Sequence, residues 1–203
     1  WVEDYASGAK FSLAFFKASL KSMTENQAQY EKNIFSIRRE FVYEEKAQPY
    51  RVDLAIFLNG IPIVMIELKK QTAGQKAAFE GTKQFRTTRN PNELIFSFNR
   101  RTLAYFTLDE MVAFVTTRLD QKDTRFLPYN RGSEDEGAGN PVVPGKHCTH
   151  YIWEEILQKD MLLRIIREPM TYILMESQET IAQIIAITKE GAPELFNLKN
   201  SYY

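Results

Sequence analysis

The stretch YRVDLAIFLNGIPIVMIELKK, residues 50–70, decides the fold. It reads as a strand, a two-residue turn and a second strand. Residues 51–58 are rich in β-formers. Asn59-Gly60 tolerates positive φ at both positions and is the strongest short hairpin signal available. Residues 61–68 return as a nearly continuous apolar run, which predicts a strand covered on both faces. Pro62 stands near its start, where a strand tolerates proline. Three charges interrupt this apolar setting: Asp53 on the first strand, and Glu67 and Lys69 at the end of the second. Residues two apart on a strand share a face. Glu67 and Lys69 are therefore expected to project together, with Leu68 directed into the core, and the hairpin brings Asp53 alongside.

That placement suggests chemistry. Two carboxylates a few ångströms apart repel, and a hard cation such as Mg²⁺ relieves the repulsion through oxygen ligands. The cation can polarise a phosphoryl oxygen and acidify a bound water. The Lys69 ammonium can orient that water or stabilise the transition state. An acid followed by about a dozen residues and then E-x-K fits phosphodiester hydrolysis. The bare pattern also fits an edge strand whose charged end is simply solvated. The following segment, 67–101, carries eight basic residues against Glu67, Glu80 and Glu93. Such a balance attracts a phosphate backbone locally, and Lys76, Lys83, Arg86, Arg89 and Arg100 are the candidate DNA contacts. A solvated helix face would carry the same charges.

Outward from the hairpin, residues 8–29 have near-helical apolar spacing at Phe11, Ala14, Phe16, Leu20 and Met23. A second piece, 27–37, places Tyr30, Ile34 and Ile37 four and three apart. Residues 35–43 shift to β-formers and predict a strand; 44–49 make a polar turn. Residues 70–89 read as a loop entering a helix, with Ala77, Ala78, Phe79 and Phe85 as its apolar side, stopped by Asn90-Pro91. Residues 93–98 and 102–108 predict two more strands, and 111–119 a strand or a short helix. Residues 128–150 are rich in Gly, Pro, Asn and acids and read as a loop. Residues 151–167 form an amphipathic helix, interrupted at Glu168-Pro169, and 170–187 predict another. The result is an α/β chain with helices packed against a sheet.

At 203 residues, with 44% apolar and 13% aromatic content, the chain can bury a sizeable core as one domain. Lysines plus arginines equal aspartates plus glutamates, 26 each, so only local charge carries information about partners. The single cysteine, Cys148, excludes an internal disulfide framework and suits a reducing cytoplasm. No apolar run of about 18 residues is present, so no membrane span is expected. The first residues lack the layout of a signal peptide, and a start on Trp1 is what a fragment would show.

The segments RVDLAIFLNGIPIVMIELKKQTAG (51–74), LIFSFNRRTLAYFTLDE (94–110), TTRLDQKDTRFLPYNRG (116–132), GAGNP (137–141) and YIWEEILQKDMLL (151–163) resemble, in order, the N-terminal nuclease region of the R subunit of Type I restriction-modification enzymes. That region belongs to the PD-(D/E)xK nuclease superfamily. The resemblance implies a restriction-endonuclease-like core, a central mixed β-sheet flanked by helices. It implies Asp53 and Glu67 as ligands of Mg²⁺ (or Mn²⁺) and Lys69 as the catalytic lysine. Gln84 matches the first position of the family's Q-x-x-x-Y element, whose tyrosine position here holds Thr88. Glu31 or Glu40 could supply an upstream acid. The implied partners are double-stranded DNA and the methyltransferase (M) and specificity (S) subunits of the full complex. ATP would act only in the full-length subunit, on a motor: this chain has no G-x-x-x-x-G-K-[ST], and Gly139 to Gly145-Lys146-His147 has five residues between its glycines and a His at the hydroxyl position. The expected organisation is a nuclease domain over 1–130, a loop over 131–150 and a helical extension over 151–203 toward that motor. The alternative is a DNA-docking or assembly module, catalytically silent in isolation.

Other candidates carry less. His147, Cys148 and His150 lack the fourth ligand of a structural zinc site, and nothing activates Cys148 as a nucleophile. The acidic run 133–136 reads as a solvated loop. Tyr43, Tyr50, Phe96, Phe98, Tyr105 and Phe106 could stack on bases, but their strand spacing favours the core.

Overall fold

The computed structural model describes residues 2–3, 7, 10–12, 14–16, 24–44, 50–98, 100–133 and 137–167. The expected helix over 170–187, the rest of the extension to residue 203 and most of the acidic run lie outside these residues. In chain order the elements are β1 (Val2–Glu3), β2 (Lys10–Phe11), α1 (Thr24–Glu31), β3 (Phe35–Glu44), β4 (Tyr50–Leu58), β5 (Ile61–Leu68), α2 (Thr82–Thr88), β6 (Ala104–Leu108), β7 (Ala113–Thr116), β8 (Leu127–Pro128) and α3 (Lys159–Arg167). A π-type turn, Ala77–Gly81, leads into α2, and a second, Ile152–Ile156, precedes α3. The helix expected over 8–29 is corrected at its start, because β2 pairs antiparallel with β1. Its described helical part is α1.

Six strands form one mixed sheet in the order β3-β4-β5-β6-β7-β8. The β5–β6 pair is parallel and the others are antiparallel. This is the α/β mixed-sheet architecture expected of a restriction-endonuclease-like core. The β4–β5 turn is the one the sequence asks for. Asn59 and Gly60 have φ of 50° and 84°, the double positive φ of a hairpin turn whose twist matches its strands. Asn59 Oδ1 also accepts the Ile34 N–H at 2.7 Å, tying the turn to the start of β3.

The sheet has a core on each face, which explains the continuous apolar run of β5. One core joins Ile56, Leu58, Val64, Ile66, Phe106 and Leu108 to Tyr151, Ile152, Ile156, Leu162 and Leu163, with Tyr30 of α1. The other joins Ala55, Met65 and Tyr105 to Phe85 of α2, Phe96 and Leu119. The segment 151–166 is therefore a layer of the sheet's own core. Gly81 sets how closely the helical crossover lies on the sheet: a Cβ there would stand 1.6 Å from Thr107 Oγ1.

The strand expected over 93–98 is absent. These residues are turns, with Phe96 N–H and Ser97 N–H bonded to the Glu93 carbonyl at 2.9 and 2.8 Å. Ser97 Oγ donates to the same carbonyl at 2.9 Å. Local side-chain bonds compete with a strand ladder in this way, and Phe96 plugs the core beside Tyr105 and Tyr43. Residues 113–116 resolve the open choice over 111–119 in favour of a strand. Among the described residues no helix is long and apolar enough to cross a membrane.

Candidate active site

The ends of β4 and β5 bring together the acids read from the sequence. Leu54 pairs with Ile66, so the next step along the antiparallel ladder sets Asp53 level with Glu67. Asp53 Oδ2 accepts the Leu68 N–H at 2.7 Å, which fixes that carboxylate at the strand end. Leu68 itself is 43% exposed, so the expectation that it points into the core is corrected. The face carrying Glu67 is the more deeply covered one here, because the crossover from β5 through α2 lies over it.

Glu67 is completely buried. Its Oε2 lies 3.6 Å from Lys69 Nζ, as expected for residues two apart. Lys69 Nζ donates to Gln84 Oε1 at 2.8 Å, and α2 thereby holds the lysine over the strand end. Asp53, Glu67, Lys69 and Gln84 thus converge on one corner of the sheet. Glu67 Oε2 accepts no hydrogen bond among the described residues. Burial pushes the Glu67 carboxyl up from its ordinary 4.5 to about 7. The nearby Arg89 opposes the rise, Asp53 adds to it, and Lys69 pulls it down.

Arg89 is the residue whose placement departs most from its reading. It is expected as a surface DNA contact, yet it is 3% exposed. Nη2 donates to Glu67 Oε1 at 2.5 Å and to the Arg51 carbonyl at 2.6 Å. Nη1 donates to Thr88 Oγ1 at 2.8 Å and Tyr43 Oη at 3.0 Å, and the guanidinium lies over the Tyr43 ring. Arg89 follows α2 in extended conformation (φ −108°, ψ 114°), which turns it back toward the strands. No spacing rule reveals that turn; the only local signal is the Asn90-Pro91 stop directly after it. Of the other basic candidates, Lys76, Lys83 and Arg100 are exposed. Arg86 is half-buried, donating from Nε to the Thr124 carbonyl at 3.0 Å and covering Phe126.

Asp109, not singled out from the sequence, braces the site from beneath. Buried beyond β6, its Oδ2 accepts the Ala77 N–H at 2.9 Å, and Oδ1 accepts from Gln71 Nε2 at 3.0 Å and the amides of Met111 and Val112. It pins the loop after Lys69 to the turn after β6.

The two candidates for an upstream acid separate. Glu31 accepts from Gln27 Nε2 at 2.9 Å on the exposed side of α1. Glu40 lies on β3 between Arg39, paired with Leu54, and Phe41, paired with Val52, so it stands beside Asp53. Its φ of 47° is left-handed, a strained backbone for a residue inside a strand, and its carboxylate is engaged by Arg51 at 3.3 Å. Among the described residues no group of three or more His, Cys, Asp or Glu could hold a metal ion. Cys148 is buried with Sγ 3.8 Å from Met111 Sδ. Phe96, Tyr105 and Phe106 are core residues.

The family model described as Type I restriction enzyme R protein N terminus matches residues 15–125, more than half of the chain and all of the converging residues. No curated protein and no solved structure gives a match.

Proposed function

Because the chain belongs to the family of Type I restriction enzyme R protein N termini, we propose that it is the DNA-cleaving part of such a subunit, hydrolysing phosphodiesters with a divalent cation. One observation carries the reading. Glu67 presents a wholly buried oxygen that accepts no hydrogen bond, beside a second carboxylate and 3.6 Å from an ammonium. A buried carboxyl oxygen left without a hydrogen bond is costly, and a cation would satisfy it.

The donor set fits Mg²⁺, with Mn²⁺ able to substitute. Asp53 and Glu67 are hard oxygen ligands, and Mg²⁺ ordinarily completes its shell with waters and substrate phosphates, needing few carboxylates. Such an ion supplies charge neutralisation and polarisation at the phosphoryl group. The chain's own residues do the positioning. Gln84 takes one Lys69 N–H, leaving the ammonium's other hydrogens for a phosphate oxygen or the attacking water. The Leu68 amide orients Asp53. Exposed Lys76, Lys83 and Arg100 serve the DNA backbone, and such contacts hold a duplex without reading its sequence. In the full subunit, cleavage would be licensed by an ATP-driven motor, in a cytoplasmic complex with the M and S subunits.

The test is nicking of supercoiled plasmid with Mg²⁺ or Mn²⁺ by the parent chain and by Asp53→Ala and Lys69→Ala, with circular dichroism to verify folding. Each substitution is expected to lower the rate by about 100-fold or more. A folded Asp53→Ala chain that cuts at the parental rate removes the assignment. A second reading, a docking module silent in isolation, is favoured by one contact: Arg89 already occupies Glu67 Oε1. It requires no Mn²⁺ affinity that vanishes on Glu67→Ala, whereas the nuclease reading does.

A further inference from the structure

Three of the acceptors that hold Arg89 do not involve Glu67. The Arg51 carbonyl is on β4, Tyr43 Oη on β3 and Thr88 Oγ1 at the end of α2. With the Tyr43 ring beneath it, the guanidinium is a fixed planar fork against which Glu67 docks. Glu67 therefore gives Oε1 to Arg89 at 2.5 Å and only Oε2 to the site, where it accepts no hydrogen bond.

We infer that Arg89 is a positioning residue that sets which cation the site prefers, by confining Glu67 to ligation through a single oxygen. The inference rests on the metal-site reading of Asp53 and Glu67. A carboxylate limited to one oxygen suits a small octahedral ion such as Mg²⁺. Ca²⁺ takes six to eight oxygens and readily uses both oxygens of one carboxylate. The positive charge of Arg89 disfavours both dications alike and cancels from their ratio. The geometric restriction does not cancel.

The test measures Mg²⁺ and Ca²⁺ affinities of the full chain by displacement of Mn²⁺, followed by electron paramagnetic resonance, beside a thermal melt for folding. The parent is expected to favour Mg²⁺. Arg89→Met frees Oε1 and should shift the Mg²⁺-to-Ca²⁺ affinity ratio toward Ca²⁺ by about tenfold or more. Arg89→Lys keeps the charge but cannot reach all these acceptors with one ammonium, so it should shift the ratio the same way. Loss of a merely structural contact would weaken both ions equally. An unchanged ratio in a folded variant, or a parent that holds Ca²⁺ as tightly as Mg²⁺, overturns the inference while leaving the metal site standing. A parent that binds none of the three ions overturns both.

Discussion

Glu67 is the residue where burial and charge meet most sharply. Its carboxyl is raised from 4.5 to about 7 chiefly by burial. In the folded, metal-free chain it therefore keeps a proton that the unfolded chain has already released between those values. Native protein binds more protons than unfolded protein in that window, so Glu67's contribution to stability is fully present below about pH 4.5 and is lost as pH rises through about 7. The contribution is on the order of a few kcal/mol. Urea unfolding at pH 5 and pH 7.5 should show that slope for the parent and lose it in Glu67→Gln. Cation binding should strengthen across the same window, because the ion competes with the proton; Mn²⁺ titrations at the two pH values check this. Much of this corner was legible at the residue level: Asp53, Glu67, Lys69 and Gln84 follow from strand parity, the hairpin and the family motif. Leu68 and Arg89 were not. Both depend on where the crossover lies over the sheet, a tertiary fact with no local periodicity to betray it.

Between β5 and β6 the crossover presses onto the sheet through Gly81. An added Cβ would meet Thr107 Oγ1 at 1.6 Å and Thr107 Cβ at 2.8 Å, with Lys69 Cγ at 3.5 Å. Gly81→Ala should lower stability by about 1–3 kcal/mol through overpacking and, by lifting α2 with Gln84, should also slow cleavage. Adding Thr107→Ala removes the nearest atom but not the Cβ contact, so thermal unfolding should show partial recovery. At this scale the β4–β5 hairpin, the strand at 104–108 and the helix after the loop are readable because pattern and turn chemistry agree, whereas 111–119 fits a strand or a short helix equally until 113–116 pairs with its neighbours. ELIFSF, residues 93–98, is rich in β-formers and predicts a strand, but Ser97 and Asn90 satisfy the backbone locally and the residues form turns. Phe96 is buried there as a plug and not as part of a ladder.

Across the whole molecule, the family match ends at residue 125, yet one face of the sheet is covered by residues beyond it. Tyr151, Ile152, Ile156, Leu162 and Leu163 pack on Ile56, Leu58, Ile66 and Phe106. The amphipathic spacing predicts one helix over 151–167, which the structure divides into the π-type turn Ile152–Ile156 and α3; periodicity says only that a face is apolar, not which surface it covers. Truncation after residue 150 should expose that core, giving a chain that binds a hydrophobic dye and unfolds without cooperativity. Ile152→Ala in the full chain should cost about 2–5 kcal/mol, read by urea unfolding. The parallel β5–β6 pair also favours an order of assembly. The β4–β5 hairpin closes over two residues, whereas β6 can dock only after the chain has spanned 69–103, and distant closures come later. Pulse-labelled refolding should protect the amides of β4 and β5 before those of β6. If refolding follows that order, Glu67 would stay solvated until the late step, with Arg89 and Gln84 out of reach. A nascent chain leaving the ribosome would then complete this corner only once its crossover is laid down.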